Sequence, residues 1–215
     1  MIGAEDNPLK PLPLSFYRRD TGTVARDLLG CRLVRRLPDG SERSVVIVET
    51  EAYLGVRDRA AHTWNGRKTP RVAPMWGPGG HAYVYFVYGM HHCLNVVTRK
   101  EGEPEAVLIR AGAPDGMWCD PGEGEGGRPS RMKIASGPAR LCRYLDITTT
   151  LSGASLLGPD LFVVSPPRKS LSRSLPLLVG PRVGVAYAGE AARWPLRFAL
   201  GGCPAVTHAA SLRPL

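Results

Sequence analysis

A chain of 215 residues, 43% hydrophobic and 22% charged, has the length and balance of an ordinary globular domain. Repeat arrays, disordered chains and disulfide-stapled miniproteins are excluded by that composition. The formal charge is +9, and only five of the 28 basic residues are lysines. Arginine forks pair bidentately with phosphate oxygens, so a polyanionic partner fits, although charge alone leaves nucleic acid and simple solubility equally open. The five cysteines (Cys31, Cys93, Cys119, Cys142, Cys203) are widely spaced and never form a CxxC pair. Neither a disulfide framework nor a zinc site is expected, and no cofactor is indicated. No basic-then-apolar leader and no membrane-length apolar run is visible, so the expected address is the bacterial cytoplasm and nucleoid, or the nucleus in a eukaryote.

Residues 1 to about 15 are proline-rich and read as an irregular N-terminal arm. Asp20 or Thr21 caps a short helix reaching Leu29, with Gly30 as its stop. Cys31 to Leu37, the turn Pro38-Asp39-Gly40 and Arg43 to Leu54 read as a β-hairpin. From Ala61 to Gly80 the chain is rich in Gly, Pro, Trp and Arg without a period, which marks a long functional loop. His81 to Tyr88 and His91 to Arg99 are strands separated by Gly89-Met90, a tight hairpin with Tyr88 and Met90 at its tip. Glu105 to Ala111 is another strand. Residues 114–129, dominated by glycine, proline and acidic pairs, read as a mobile loop. Ser136 N-caps a helix through about Asp146, with Pro138 in its first turn. Short strands near Leu161 to Val164 and Leu196 to Leu200 complete the expected fold. It is α+β, a single domain over residues 1–215, with a mixed, mostly antiparallel sheet, flanking helices and a protruding β-hairpin.

In Val45-Val-Ile-Val-Glu-Thr-Glu-Ala-Tyr53, strand alternation puts Ile47, Glu49, Glu51 and Tyr53 on one face. A bare buried carboxylate costs several kcal/mol, so these glutamates either meet arginine or line a wet cleft. Arg110, closing Val-Leu-Ile-Arg, needs an anion: Glu49, Glu51 or a phosphate. Tyr83 and Phe86 are expected in the core, whereas Tyr88 beside the Gly-Met tip has little core to enter and suits a wedge between base pairs. Asn95 interrupts an apolar strand and must find partners in backbone or ligand. His62, in a Gly/Arg-flanked loop, can stack on a base or cap its own turn. His91-His92 are strand neighbours pointing to opposite faces, so no metal site is expected there. A cleft offering Glu, Tyr, His, Asn and Arg beside a wedge-bearing hairpin on a cationic body suggests a hydrolase acting on nucleic acid.

The same residues carry a resemblance. Ile47-Val-Glu-Thr-Glu-Ala-Tyr-Leu-Gly55, Ala60-Ala-His62, Thr69-Pro-Arg71, Ala82-Tyr-Val-Tyr-Phe-Val-Tyr-Gly-Met90, Cys93-Leu-Asn95, Val107-Leu-Ile-Arg110, Ser136-Gly-Pro138 and Arg182-Val-Gly-Val185 run in family order along nearly the whole chain. The sequence resembles the alkyladenine (3-methyladenine, or methylpurine) DNA glycosylases. The resemblance implies a monofunctional base-excision-repair enzyme that flips an alkylated or deaminated purine out of double-stranded DNA and hydrolyses its N-glycosidic bond. It implies Glu51 as general base for water, Arg110 helping to position that water or the neighbouring phosphate, Tyr53, His62 and Tyr85 as the stacking pocket, Asn95 at the pocket floor, and Tyr88 with Met90 in the duplex. A monomer with no cofactor and no membrane partner is expected, and no AP-lyase step, since no lysine falls in a matched pocket block. The Gly/acidic stretch and His91-His92 depart from the family pattern.

Two other readings compete. Glu49 and Glu51, about 6.5–7 Å apart along one strand face, have the spacing of an inverting carbohydrate glycosidase, but a sugar cleft has no use for the positive charge. A non-catalytic damaged-DNA binding module would use the Tyr88 hairpin and pocket without turnover.

Overall fold

The structure is a computed structural model that describes residues 10–114, 134–166 and 175–215. Most of the loop expected over 114–129 and most of the N-terminal arm lie outside the described residues. Where residues 10–15 are described, the arm is less irregular than expected. Pro11 bridges Val164, and a one-turn helix, α1 (Leu14–Tyr17), buries Tyr17. Helix α2 (Thr21–Asp27) starts at the expected cap, where the Asp20 side chain accepts from the Thr23 N–H.

Among the described residues nine strands form one sheet: β1 (Arg32–Arg36), β2 (Glu42–Tyr53), β3 (Ala82–Val87), β4 (His91–Thr98), β5 (Glu105–Pro114), β6 (Leu161–Val164), β7 (Leu177–Gly180), β8 (Arg197–Leu200) and β9 (Arg213–Pro214). The order is β3-β4-β5-β2-β8-β7-β9, with β1 and β6 branching from β2, and every pairing is antiparallel. Helix α3 (Pro138–Tyr144) has Gly137, at φ 94°, as its N-cap. Ser136 instead bridges Ala111, so the expected serine cap is not formed. β7 and β9 are absent from the sequence reading.

One face of the sheet carries the main core, in which Val24, Leu28, Leu141 and Leu145 of the helices meet Ile47, Val84, Leu94, Val96, Val107 and Ile109. Burying one such aliphatic side chain contributes roughly 1.5–3 kcal/mol. The opposite face is only partly filled, by Val72, Met75 and Tyr83 at one end and by Val48, Ala111 and Leu200 at the other. The space between these clusters is the site.

The β2–β5 ladder explains how two carboxylates reach that face. Its register shifts between Ile47 and Glu49 and again between Glu49 and Thr50, leaving Val48 on one strand and Arg110 on the other without ladder partners. Such bulges re-aim side chains. Ile47 therefore enters the main core while Thr50, which bonds the Ala25 carbonyl, and Ala52 continue that face. The expectation that Ile47 shares a face with Glu49 and Glu51 fails for this reason. Phe86 is also misplaced by alternation alone. It lies near the free end of the hairpin, 44% exposed, with its ring against His92.

Cys31, Cys93 and Cys142 are buried free thiols, but Cys203 is disulfide-bonded, a departure from the expectation of no disulfide. Among the described residues no group of three metal-ligating side chains converges, and no helix is long and apolar enough to cross a membrane.

Candidate active site

A cavity of about 340 Å³ opens on the half-filled face of the sheet. Tyr53 of β2, Tyr83 and Tyr85 of β3, Cys93 and Asn95 of β4, and Leu108 and Arg110 of β5 line it, with His62 and Val183 from flanking loops. Ligand sites of this size and aromatic lining suit a flat heterocycle.

The two glutamates have different environments although both are fully buried. Glu49 is saturated. Its Oε1 accepts from Arg110 Nε at 3.0 Å and from Arg197 at 3.1 Å, and its Oε2 accepts from the Thr207 N–H at 2.9 Å. The Thr207 hydroxyl adds bonds to both oxygens. A carboxylate so occupied holds the fold together and cannot exchange protons with a substrate, which removes the two-carboxylate arrangement of a carbohydrate glycosidase.

Glu51 stands one layer behind the cavity wall. Its Oε1 accepts from the Val183 N–H at 2.8 Å and faces Arg110 at 3.3 Å, while its Oε2 accepts from the Tyr53 hydroxyl at 2.8 Å. All three of those partners line the cavity. Burial raises the pKa of Glu51 above the ordinary carboxylate value, and Glu49 adds to the rise. Arg110, the Val183 amide and the Tyr53 hydroxyl oppose it. A carboxylate made more basic in this way, yet held beside a guanidinium, is suited to accepting a proton.

The aromatic walls are fixed by polar contacts at their edges. His62 Nδ1 lies 2.9 Å from the Tyr83 hydroxyl, and its ring meets Tyr85 edge-on at 4.6 Å. Burial, with Arg71 and Arg67 nearby, lowers the His62 pKa to about 4, so the imidazole is neutral at physiological pH. Asn95 donates to the Tyr83 carbonyl at 3.1 Å. Tyr53 rests on Arg182, whose guanidinium lies 4.7 Å from the ring centroid. Arg182 in turn is bound by both oxygens of Asp58 and donates to the Ala52 and Ala191 carbonyls at 3.0 Å. This buried pair anchors the loop that presents the Val183 amide to Glu51.

The structure brings Tyr53, His62, Tyr85, Asn95 and Arg110 to one cavity, with Glu51 immediately behind it and Tyr88 at its rim. Met90 is not part of that wall. It is 68% exposed and borders a small cleft with His92 and Arg143 on the other side of the hairpin. Tyr88 is 87% exposed at φ 54°, and with Gly89 at φ 67° it forms the turn itself rather than ending β3 as expected. Sequence reasoning passes over three contributors. Asp58, between two arginines, gives no signal, and neither does a backbone amide such as that of Val183. Arg197 does give one, since an arginine opening an apolar strand needs an anion.

Comparison with known proteins gives this geometry a lineage. A family model described as methylpurine-DNA glycosylase (MPG) matches residues 15–204. The protein named "Putative 3-methyladenine DNA glycosylase" from Desulfitobacterium hafniense (strain Y51) is 44% identical over 206 residues, covering 89% of this chain and 96% of that relative. A protein of the same name from Bacillus cereus (strain B4264) is 43% identical over 201 residues, covering 91% and 98%, and one from Bacillus cytotoxicus is 43% identical over 192 residues, covering 86% and 94%. The chain therefore belongs to the methylpurine-DNA glycosylase family and is a DNA glycosylase of base-excision repair.

Proposed function

We propose that this glycosylase hydrolyses the N-glycosidic bond of alkylated or deaminated purines flipped from double-stranded DNA into the cavity, with Glu51 activating the water. The observation that carries the reading is a basic, fully buried carboxylate set against Arg110 directly behind an aromatic cavity, beside a hairpin whose tip is a fully projecting tyrosine. In the reaction the water oxygen attacks C1′, its proton passes to Glu51, and the electron pair of the glycosidic bond leaves with the base.

Tyr53, His62 and Tyr85 stack on the base, at about 1–3 kcal/mol per contact, and Asn95 reads its edge from the floor. Arg110 keeps Glu51 ionised and oriented. Tyr88 fills the vacated position in the duplex, with Met90 beside it. Flipping costs a few kcal/mol and is cheapest for a mispaired or damaged base, so selection begins before chemistry. Among the described residues no lysine lines the cavity, which supports simple hydrolysis without strand cleavage. We also propose that the protein acts as a monomer.

The test is release of free base from labelled duplexes carrying hypoxanthine, ethenoadenine or a methylated purine, read by alkali-dependent nicking with and without borohydride. Base release without a trapped covalent adduct is expected. An adduct would overturn the hydrolytic step, and binding without release would favour the damage-sensing module.

A further inference from the structure

A second concavity of about 640 Å³ adjoins the base cavity and shares His62 and Tyr187 with it. The rest of its lining is Arg59, Ala61, Trp64, Asn65 and Arg67. Trp64 is 45% exposed, and Arg59 lies 5.6 Å from its ring centroid. Tyr187 is 64% exposed. Both rings are tethered, Tyr187 by its hydroxyl, which donates to the Ala60 carbonyl at 3.4 Å, and Trp64 by its backbone. The Trp64 amide donates to Ala61 and its carbonyl accepts from Arg67, while buried Thr63 donates its hydroxyl to the Pro104 carbonyl at 3.0 Å. Asn65 holds the left-handed conformation, at φ 56°, that turns the loop outward.

The charge around this groove is one-sided. Its charged lining residues are Arg59 and Arg67, both exposed, and neither pairs with a carboxylate among the described residues. Exposed aromatic rings on a fixed backbone between exposed arginines match the chemistry of an unpaired nucleic-acid strand, in which bases stack and phosphates seek guanidinium. A duplex offers no free base face to such a ring.

We infer that this groove binds single-stranded DNA, stacking an unpaired base on Trp64 with phosphates on Arg59 and Arg67, so that the enzyme holds a lesion strand without its complement. The inference rests on the proposed function only for its consequence, that a base held beside the groove enters the adjoining cavity. The groove itself is tested without chemistry.

The probe is a thymidine homo-oligonucleotide, which offers no purine to excise, followed by fluorescence polarisation and by quenching of intrinsic tryptophan emission. Binding with quenching is expected. Trp64→Ala should weaken it on the order of tenfold while Trp64→Phe stays within about threefold of the parent. Arg59→Gln with Arg67→Gln should make the slope of log affinity against log salt shallower by about 1.4. Thermal melts verify that each variant is folded, and the arginine pair gives an independent reading if Trp64→Ala is not. Absence of binding, unchanged affinity in a folded Trp64→Ala, or unchanged affinity and salt slope in the arginine variant overturns the proposal. None of these outcomes depends on whether lesion bases are released.

Discussion

Glu51 and Glu49 are the same residue type two positions apart, both fully buried, yet opposite consequences are expected from changing them. Glutamine at 51 fits the existing bonds: its oxygen accepts from Val183 and Arg110, and its amide donates to the Tyr53 hydroxyl. The folded pKa of Glu51 is raised, so its favourable contribution to stability is full below its unfolded value near 4.5 and is lost as pH rises. At neutral pH, Glu51→Gln should therefore melt at or above the parent temperature. The same raised pKa predicts that base release falls as pH drops through it, because the base must be ionised. Glu49→Gln should behave in the contrary way, leaving Arg110 and Arg197 short of their anion and costing about 3–5 kcal/mol in denaturant unfolding. His62 adds an acid limb. Its folded pKa of about 4 lies below the ordinary imidazole value of 6.5, so its contribution is full above about 6.5 and is lost as pH falls through 4. His62→Gln should flatten that part of the stability profile. At this scale the sequence revealed the residue types and their need for partners. It could not tell Glu49 from Glu51, because the difference lies in Thr207, Arg197 and Val183, all more than 130 residues away.

The elements set these residues at working geometry through a few backbone irregularities. Gly55, which follows Tyr53 closely, sits at φ 63°, where an added Cβ would come within 2.9 Å of the Pro104 carbonyl oxygen. Gly55→Ala should destabilise by about 1–3 kcal/mol, measured by chemical denaturation. The hairpin tip holds strain of another kind, since tyrosine is unfavourable in the left-handed region that Tyr88 occupies. Tyr88→Gly should be as stable as the parent or more so, while excision from duplex falls on the order of tenfold because nothing fills the emptied stack. The hairpins were legible from turn residues and the start of α2 from its Asp20 cap, whereas the serine cap read for α3 is not formed. The paired shifts at Val48 and Arg110 were not, because alternation cannot show where a ladder slips. β9 is two residues long, and β7 is four with no alternation to mark it, so neither carries a pattern to read.

Across the whole molecule the +9 charge acquires a location. Part of it is spent internally, Arg110, Arg182 and Arg197 each being committed to a buried carboxylate, and part is displayed around the cavity mouth. Affinity for a lesion duplex should fall with salt at a log–log slope steeper than about −3, since several displayed cations meet phosphates at about −0.9 each. A slope shallower than about −1 would mean that the charged rim does not face DNA. The central claim, that Glu51 is the base of a water-dependent glycosylase, is tested most directly by single-turnover release of hypoxanthine from duplex DNA by the parent and Glu51→Gln, with affinity for the same duplex measured alongside. The account predicts release by the parent, loss of release in the variant and unchanged affinity. Release by Glu51→Gln at the parental rate would contradict it.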